Sequence, residues 1–132
     1  MTATPLTFQE AWIADLKAQP VFSSGTFPEE IREADWQSTD FVYPNIRVSL
    51  DFTPSANECG PDGADVYIEI YSEEKSSKQA IVIASVIYEL YNGRIFTRNG
   101  IRFSTVTVKK VFAPVRDEFA WMSKVHIYCE GA

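Results

Sequence analysis

His126 is the only histidine in this 132-residue chain, so any mechanism that passes a proton through an imidazole to a serine or cysteine nucleophile has to use it. It sits between Lys124 and Tyr128 in an alternating stretch, and no serine lies in a glycine-rich elbow. A polar position on a strand is therefore expected, not a catalytic base. Cys59 and Cys129 show neither CxxC nor Cys/His ligand spacing, which removes the usual zinc patterns. Cys129 closes an apolar alternation and reads as a small core residue; pairing with Cys59 stays open. Two acidic groups come up as cation sites, Glu29, Glu30, Glu33 and Asp35 in one, and Glu58, Asp62 and Asp65 in the other. Neither has the alternating ligands and closing glutamate of a calcium loop, so solvated charge is expected. No phosphate loop of either standard type is present. No catalytic residue, metal or cofactor is expected.

The elements that position these side chains are clearest between Ala64 and Gly93. From Asp65 to Tyr71, Val66, Ile68 and Ile70 alternate with Tyr67, Glu69 and Tyr71, the period of a strand with two unlike faces. From Ser76 to Tyr91 the period lengthens: Ala80, Ile83, Ala84, Ile87 and Tyr91 line one face of a helix. Ser76 and Gln79 read as its capping box, and Asn92 and Gly93 as its stop. An earlier helix starts at Thr4 or Thr7, buries Phe8, Ala11, Trp12 and Leu16, and ends by Pro20. Val21 to Asp40 breaks pattern and is expected to be a long loop with Phe27, Ile31 and Trp36 as isolated apolar residues. Asn45 to Phe52 alternates as a second strand, joined by an irregular tip to the Asp65 strand. Asn99 and Gly100 mark a tight hairpin between Arg94–Arg98 and Ile101–Val111, and Phe119 to Cys129 completes a last hairpin. The expected fold is α+β, one mainly antiparallel sheet of four to five strands with two helices packed on one face, in a single domain over residues 1–132.

Hydrophobic residues make up 45% and charged residues 23% of the chain, which excludes disorder. The longest apolar run, Ala80 to Ile87, is too short to cross a bilayer. Met1 to Pro20 lacks a basic start and an apolar signal core, so an intracellular protein without a membrane partner is expected. The net charge of −6 disfavours a general nucleic-acid surface. Its distribution is uneven: residues 1–63 hold three Lys or Arg against ten Asp or Glu, and residues 64–132 hold nine against eight. Such charges either solvate the surface or let the acidic side of one copy meet the basic side of the next, head to tail. Tyr67 and Tyr71, with Tyr128 beside them, point to a half-covered sheet face of the kind a subunit interface needs.

An aromatic and proline entry to a strand (Phe41, Tyr43, Pro44), a strand ending in an aromatic-Ser pair (Tyr71, Ser72), and a Ser/Lys-rich cap into an Ala/Ile helix together resemble the tail terminator, or tail completion, proteins of long-tailed bacteriophages. The resemblance covers roughly Phe41 to Cys129, and Val21 to Asp40 is longer than its pattern. It implies a non-enzymatic virion subunit, located at the head-proximal end of the tail and in the host cytoplasm during assembly. Such a subunit forms a homo-oligomeric ring, commonly a hexamer, on the finished tube. It stops addition of the major tail tube protein and presents a surface to the head completion or connector protein, and DNA passes through without specific binding. The residues expected to make contacts are Phe27, Trp36, Tyr67 and Tyr71, with Arg94 and Arg98 facing acidic neighbours. A head completion or connector subunit of the neck is the alternative within virion assembly; a small-molecule-binding or enzymatic α+β domain is the alternative outside it.

Overall fold

The computed structural model describes residues 3–23, 30–34, 43–56, 60–73, 75–116 and 120–132. The chain runs α1 (Pro5–Ala18), α2 (Pro20–Ser23), β1 (Glu30–Glu33), β2 (Asn45–Thr53), β3 (Asp62–Ser72), α3 (Lys78–Tyr91), β4 (Phe96–Arg98), β5 (Ile101–Arg116) and β6 (Trp121–Gly131). One sheet holds all six strands in the order β1-β2-β3-β6-β5-β4. Its pairs are antiparallel except β1 with β2, which is parallel. The fold is mixed α+β as expected.

Among the described residues two counts differ from expectation: six strands replace four to five, and a third, four-residue helix follows α1. Both additions touch the stretch 21–40 that was expected to be loop. β1 has one buried apolar residue, Ile31, in four, and so short a strand offers no alternation to read. It pairs in parallel with β2, from which the Arg47 guanidinium reaches Glu30 at 2.6 Å. Arg47 and Asn45, the polar partners in the alternation of β2, are both buried.

Local signals explain most of the other boundaries. Of the two starts offered for α1, Thr4 is used: its hydroxyl accepts from the Thr7 N–H at 3.1 Å, and the Thr7 hydroxyl accepts from the Thr4 N–H at 2.8 Å. Pro5 follows at the first helical position, where its missing N–H costs nothing. The box expected from Ser76 and Gln79 does not form: α3 starts after Ser77, and the Gln79 side-chain oxygen takes the hydroxyl of Ser72. That glutamine ties strand to helix rather than capping the helix. Asn99 and Gly100 both have positive φ, 54° and 79°, as the two-residue turn from β4 to β5 requires.

The helices pack on one sheet face. Ala64, Val66, Ile68 and Ile70 of β3 and Val125, Ile127 and Cys129 of β6 meet Ala80, Ile83, Ala84 and Ile87 of α3. α1 touches β1 and β2 near one end of the sheet and β4 at the other, so the sheet curls around it. Phe8 stacks edge-on against both Phe52 of β2 and Phe103 of β5, at 5.1 Å each. Trp12 packs on Tyr91, Phe96 and Phe103. Gly131 closes β6 against this cluster, where a Cβ would lie 2.9 Å from the Phe103 ring.

Asp15, on the same helix face, is fully buried. Its Oδ2 accepts from the Tyr91 hydroxyl at 2.7 Å, Arg94 at 2.9 Å and the Gln19 amide at 3.0 Å, and its Oδ1 accepts from Arg98 at 3.1 Å. A buried carboxylate is tolerated only with such a set of donors. Burial first, then the Asp15 charge and hydrogen bond, push the Tyr91 hydroxyl well above its ordinary pKa of 10.0.

Replacing Asp15 by Ala leaves two arginines and a phenol without their acceptor and is expected to cost roughly 2–4 kcal/mol, since both arginines can partly rehydrate. Urea denaturation measures it. Because the Tyr91 pKa is higher in the folded than in the unfolded state, its contribution is whole below pH 10.0 and falls as pH rises past that value. Tyr91→Phe is therefore expected to be less stable than the parent at pH 8 and to show a shallower loss of stability above pH 10.0, read from thermal melts across that range.

Candidate functional site

The face of the sheet opposite α1 and α3 carries no helix among the described residues. It is built by the second set of alternating positions: Tyr67, Glu69 and Tyr71 on β3, and Met122, Lys124, His126 and Tyr128 on β6, all of them partly exposed. β5 adds Lys110, Phe112 and Val115, paired with His126, Lys124 and Met122. The register of β5 on β6 slips at three places. One of them spans Pro114, which has no N–H to give the ladder. Another, between Val108 and Lys110, lets consecutive lysines reach the same face: Lys109 Nζ stands 5.7 Å from the Tyr128 ring and Lys110 Nζ 4.6 Å from the Phe112 ring. Lys124 Nζ lies between Phe112 and Tyr67, at 5.6 and 5.7 Å.

At one corner of this face, Lys110, Phe112, Ala113, Val115, Met122 and Lys124 enclose an open concavity of about 390 Å³ with a mostly apolar lining. Val115 is 60% exposed, and Val111, on the same strand, is exposed as well. β4 pairs only with Ile101–Phe103, and the helix α3 terminus covers the next positions through Gly93 N–H to Val106 and Asn92 to the Val108 N–H. Past Val108, no described strand pairs with the outer edge of β5.

His126 stacks on Tyr67 at a centroid distance of 4.7 Å, and its Nε2 lies 2.8 Å from Asp65. It occupies the polar strand position expected of it, in a cross-strand pair that the sequence did not reveal because the register was unknown. Tyr71 donates to Glu69 at 2.6 Å and Tyr128 to Glu130 at 2.9 Å; the latter bond, more than burial, raises the Tyr128 pKa. Tyr67 and Tyr71 thus share the face opposite α1 and α3, both partly exposed. Arg94 and Arg98 lie elsewhere, on the α3–β4 connection and β4, with the acid they face, Asp15, inside the same chain. Their side chains remain 32% and 35% exposed. Phe27 and Trp36 lie outside the described residues.

The acidic groups are dispersed. Glu30 binds Arg47, Asp62 accepts from the Ser55 N–H, and Asp65 pairs with His126; Glu29, Asp35 and Glu58 lie outside the described residues. Among the described residues no three His, Cys, Asp or Glu side chains converge as metal ligands. Cys129 is a buried free thiol whose pKa desolvation pushes up to about 12; Cys59 lies outside the described residues. In a Cys59→Ser variant, Cys129 is expected to react with an aromatic disulfide at pH 8 about a hundredfold more slowly in the native state than in denaturant, because so little thiolate forms. Equal rates would contradict its place in the core.

No family model and no curated protein matches the chain. Among solved structures, a chain of the virion of a native gene transfer agent particle is similar over nearly its whole length. The match has a TM-score of 0.72 and 15% identity, and it covers 98% of this chain and 97% of that one. A second solved structure is similar with a TM-score of 0.60 and 11% identity, over 96% of this chain and 92% of that one. At these identities the comparison establishes a shared fold, end to end.

Proposed function

We propose that this protein is a structural, non-enzymatic subunit of a phage-like virion, and specifically that it terminates the tail. One observation carries the first part: a chain of a gene transfer agent virion has this fold over 97% of its length, so the likeness is of whole subunits rather than a shared motif. The second part rests on the sequence resemblance to tail terminators between Phe41 and Cys129. In this reading the chain assembles as a homo-oligomeric ring, a hexamer by family resemblance, on the head-proximal end of the tube. The ring stops addition of the tube protein and offers its other surface to the head completion or connector protein.

Terminating a polymer requires shape and charge complementarity but no chemistry. What favours the reading physically is a sheet face with half-buried aromatics and lysines that the helices leave bare. Tyr67 and Tyr71 are contact groups on that face, and the exposed parts of Arg94 and Arg98 contribute at the β4 end. The overall charge of −6 suits a ring through which DNA slides without being held.

Electron microscopy of tail tubes assembled with and without the protein tests this. Rings at one tube end, with tube length fixed once the protein is added, are the expected result. If the protein leaves tube length unchanged but binds isolated portal or connector rings, it is a neck subunit instead. Binding to neither would end the virion reading and direct the search to small ligands.

A further inference from the structure

The corner formed by the second half of β5 and the start of β6 combines three properties that a surface exposed to water alone has no reason to combine. Its lining is apolar, with Phe112, Val115 and Met122 around an open concavity. The strand edge beside it is unpaired past Val108 among the described residues, and an open edge left bare is an invitation to association. Its two rim ammonium groups, Lys110 and Lys124, form no ion pair among the described residues and rest on aromatic rings instead.

The complement lies on the other half of the same chain, where residues 1–63 carry three basic against ten acidic side chains. On the outer side of α1, Leu6 is the most exposed large apolar residue, at 62%, and Glu10 follows it one helical turn later, also exposed and without an ion pair among the described residues. Spacing of four residues places the two side by side on the helix surface. An apolar knob next to a carboxylate fits an apolar concavity between two ammonium groups.

We propose that this corner is the docking site for a second copy of the chain, which seats the Leu6–Glu10 side of its α1 between Lys110 and Lys124. The inference rests on the virion reading and adds the contact that builds the ring. The two surfaces are unlike, so the contact is heterologous: each copy uses its corner toward one neighbour and its α1 toward the other, and repetition closes a ring or runs on as a helix. Opposite charges at the rim fix which surface meets which.

Sedimentation velocity on separately altered copies tests the geometry. Lys110→Glu with Lys124→Glu spoils only the corner; Glu10→Gln with Leu6→Gln spoils only the α1 side. Circular dichroism checks that each is folded, as expected for positions outside the core. Each variant alone is expected to self-associate at least about tenfold more weakly than the parent, because the first replaces an attractive pair by a repulsive one and the second removes both the apolar knob and its charge. Mixed in equal amounts, the two retain one good corner and one good α1, and so are expected to form a dimer but no ring. Variants that assemble like the parent, while rings still cap tubes, overturn this contact and leave the tail reading standing. A parent that neither self-associates nor forms rings on tubes overturns both. Variants that form rings but fail to cap tubes assign the corner to the tube protein and overturn the proposal.

Discussion

The fold turns on a carboxylate that has no access to water. Asp15 gathers a phenol, an amide and two guanidinium groups from four parts of the chain: the end of its own helix, the last turn of α3, the connection into β4, and β4 itself. Stripped of these donors, a charge at that depth would be untenable. With them, the relative placement of α1, α3 and β4 is fixed, since few other arrangements could supply so many donors to one buried side chain. The aromatic cluster of Phe8, Trp12, Phe96 and Phe103 packs alongside, so apolar area and a directional polar anchor act on the same joint.

That joint has a consequence on the far side of the sheet. Because α1 spans from β2 to β4 and α3 lies over β3, β5 and β6, both long helices are committed to one face. The other face is left with tyrosines, lysines and carboxylates that satisfy one another only in part. Tyr71 and Tyr128 hydrogen-bond within the chain, and His126 holds Asp65, but among the described residues Lys110 and Lys124 have only ring faces beneath them. A mixed surface of this kind, rich in aromatic residues and rimmed by charge, has the composition of subunit contacts rather than of catalytic clefts.

Much of this was legible beforehand, and for definite reasons. The period-two runs over Val66–Ile70 and Val125–Cys129 and the helical run from Ala80 to Tyr91 encode which side chains face inward, and the Asn99–Gly100 turn is encoded by its tolerance of positive φ. The placement of Tyr67 and Tyr71 on the strand face away from the core followed from the same alternation. What escaped was non-local. β1 is held by pairing with β2 and by one ion pair, neither of which leaves a mark in its own four residues. The corner around Val115 depends on register slips in β5 that place Lys109 and Lys110 together, and nothing in a one-dimensional pattern states a register.

The sequence by itself determined the elements, their inward faces and the uneven split of charge between its halves, because these depend on periodicity and composition alone. It also carried a resemblance to a tail-terminating subunit, and the chain shares its fold with a chain of a gene transfer agent virion. Tertiary structure alone decided that Asp15, an ordinary-looking residue on α1, would be the anchor for Arg94 and Arg98. It also decided that the sheet would curl around one helix and leave a corner of the opposite face bare. Both depend on which distant residues meet, and that is set by the balance of packing and desolvation over the whole chain rather than by any local run of residues.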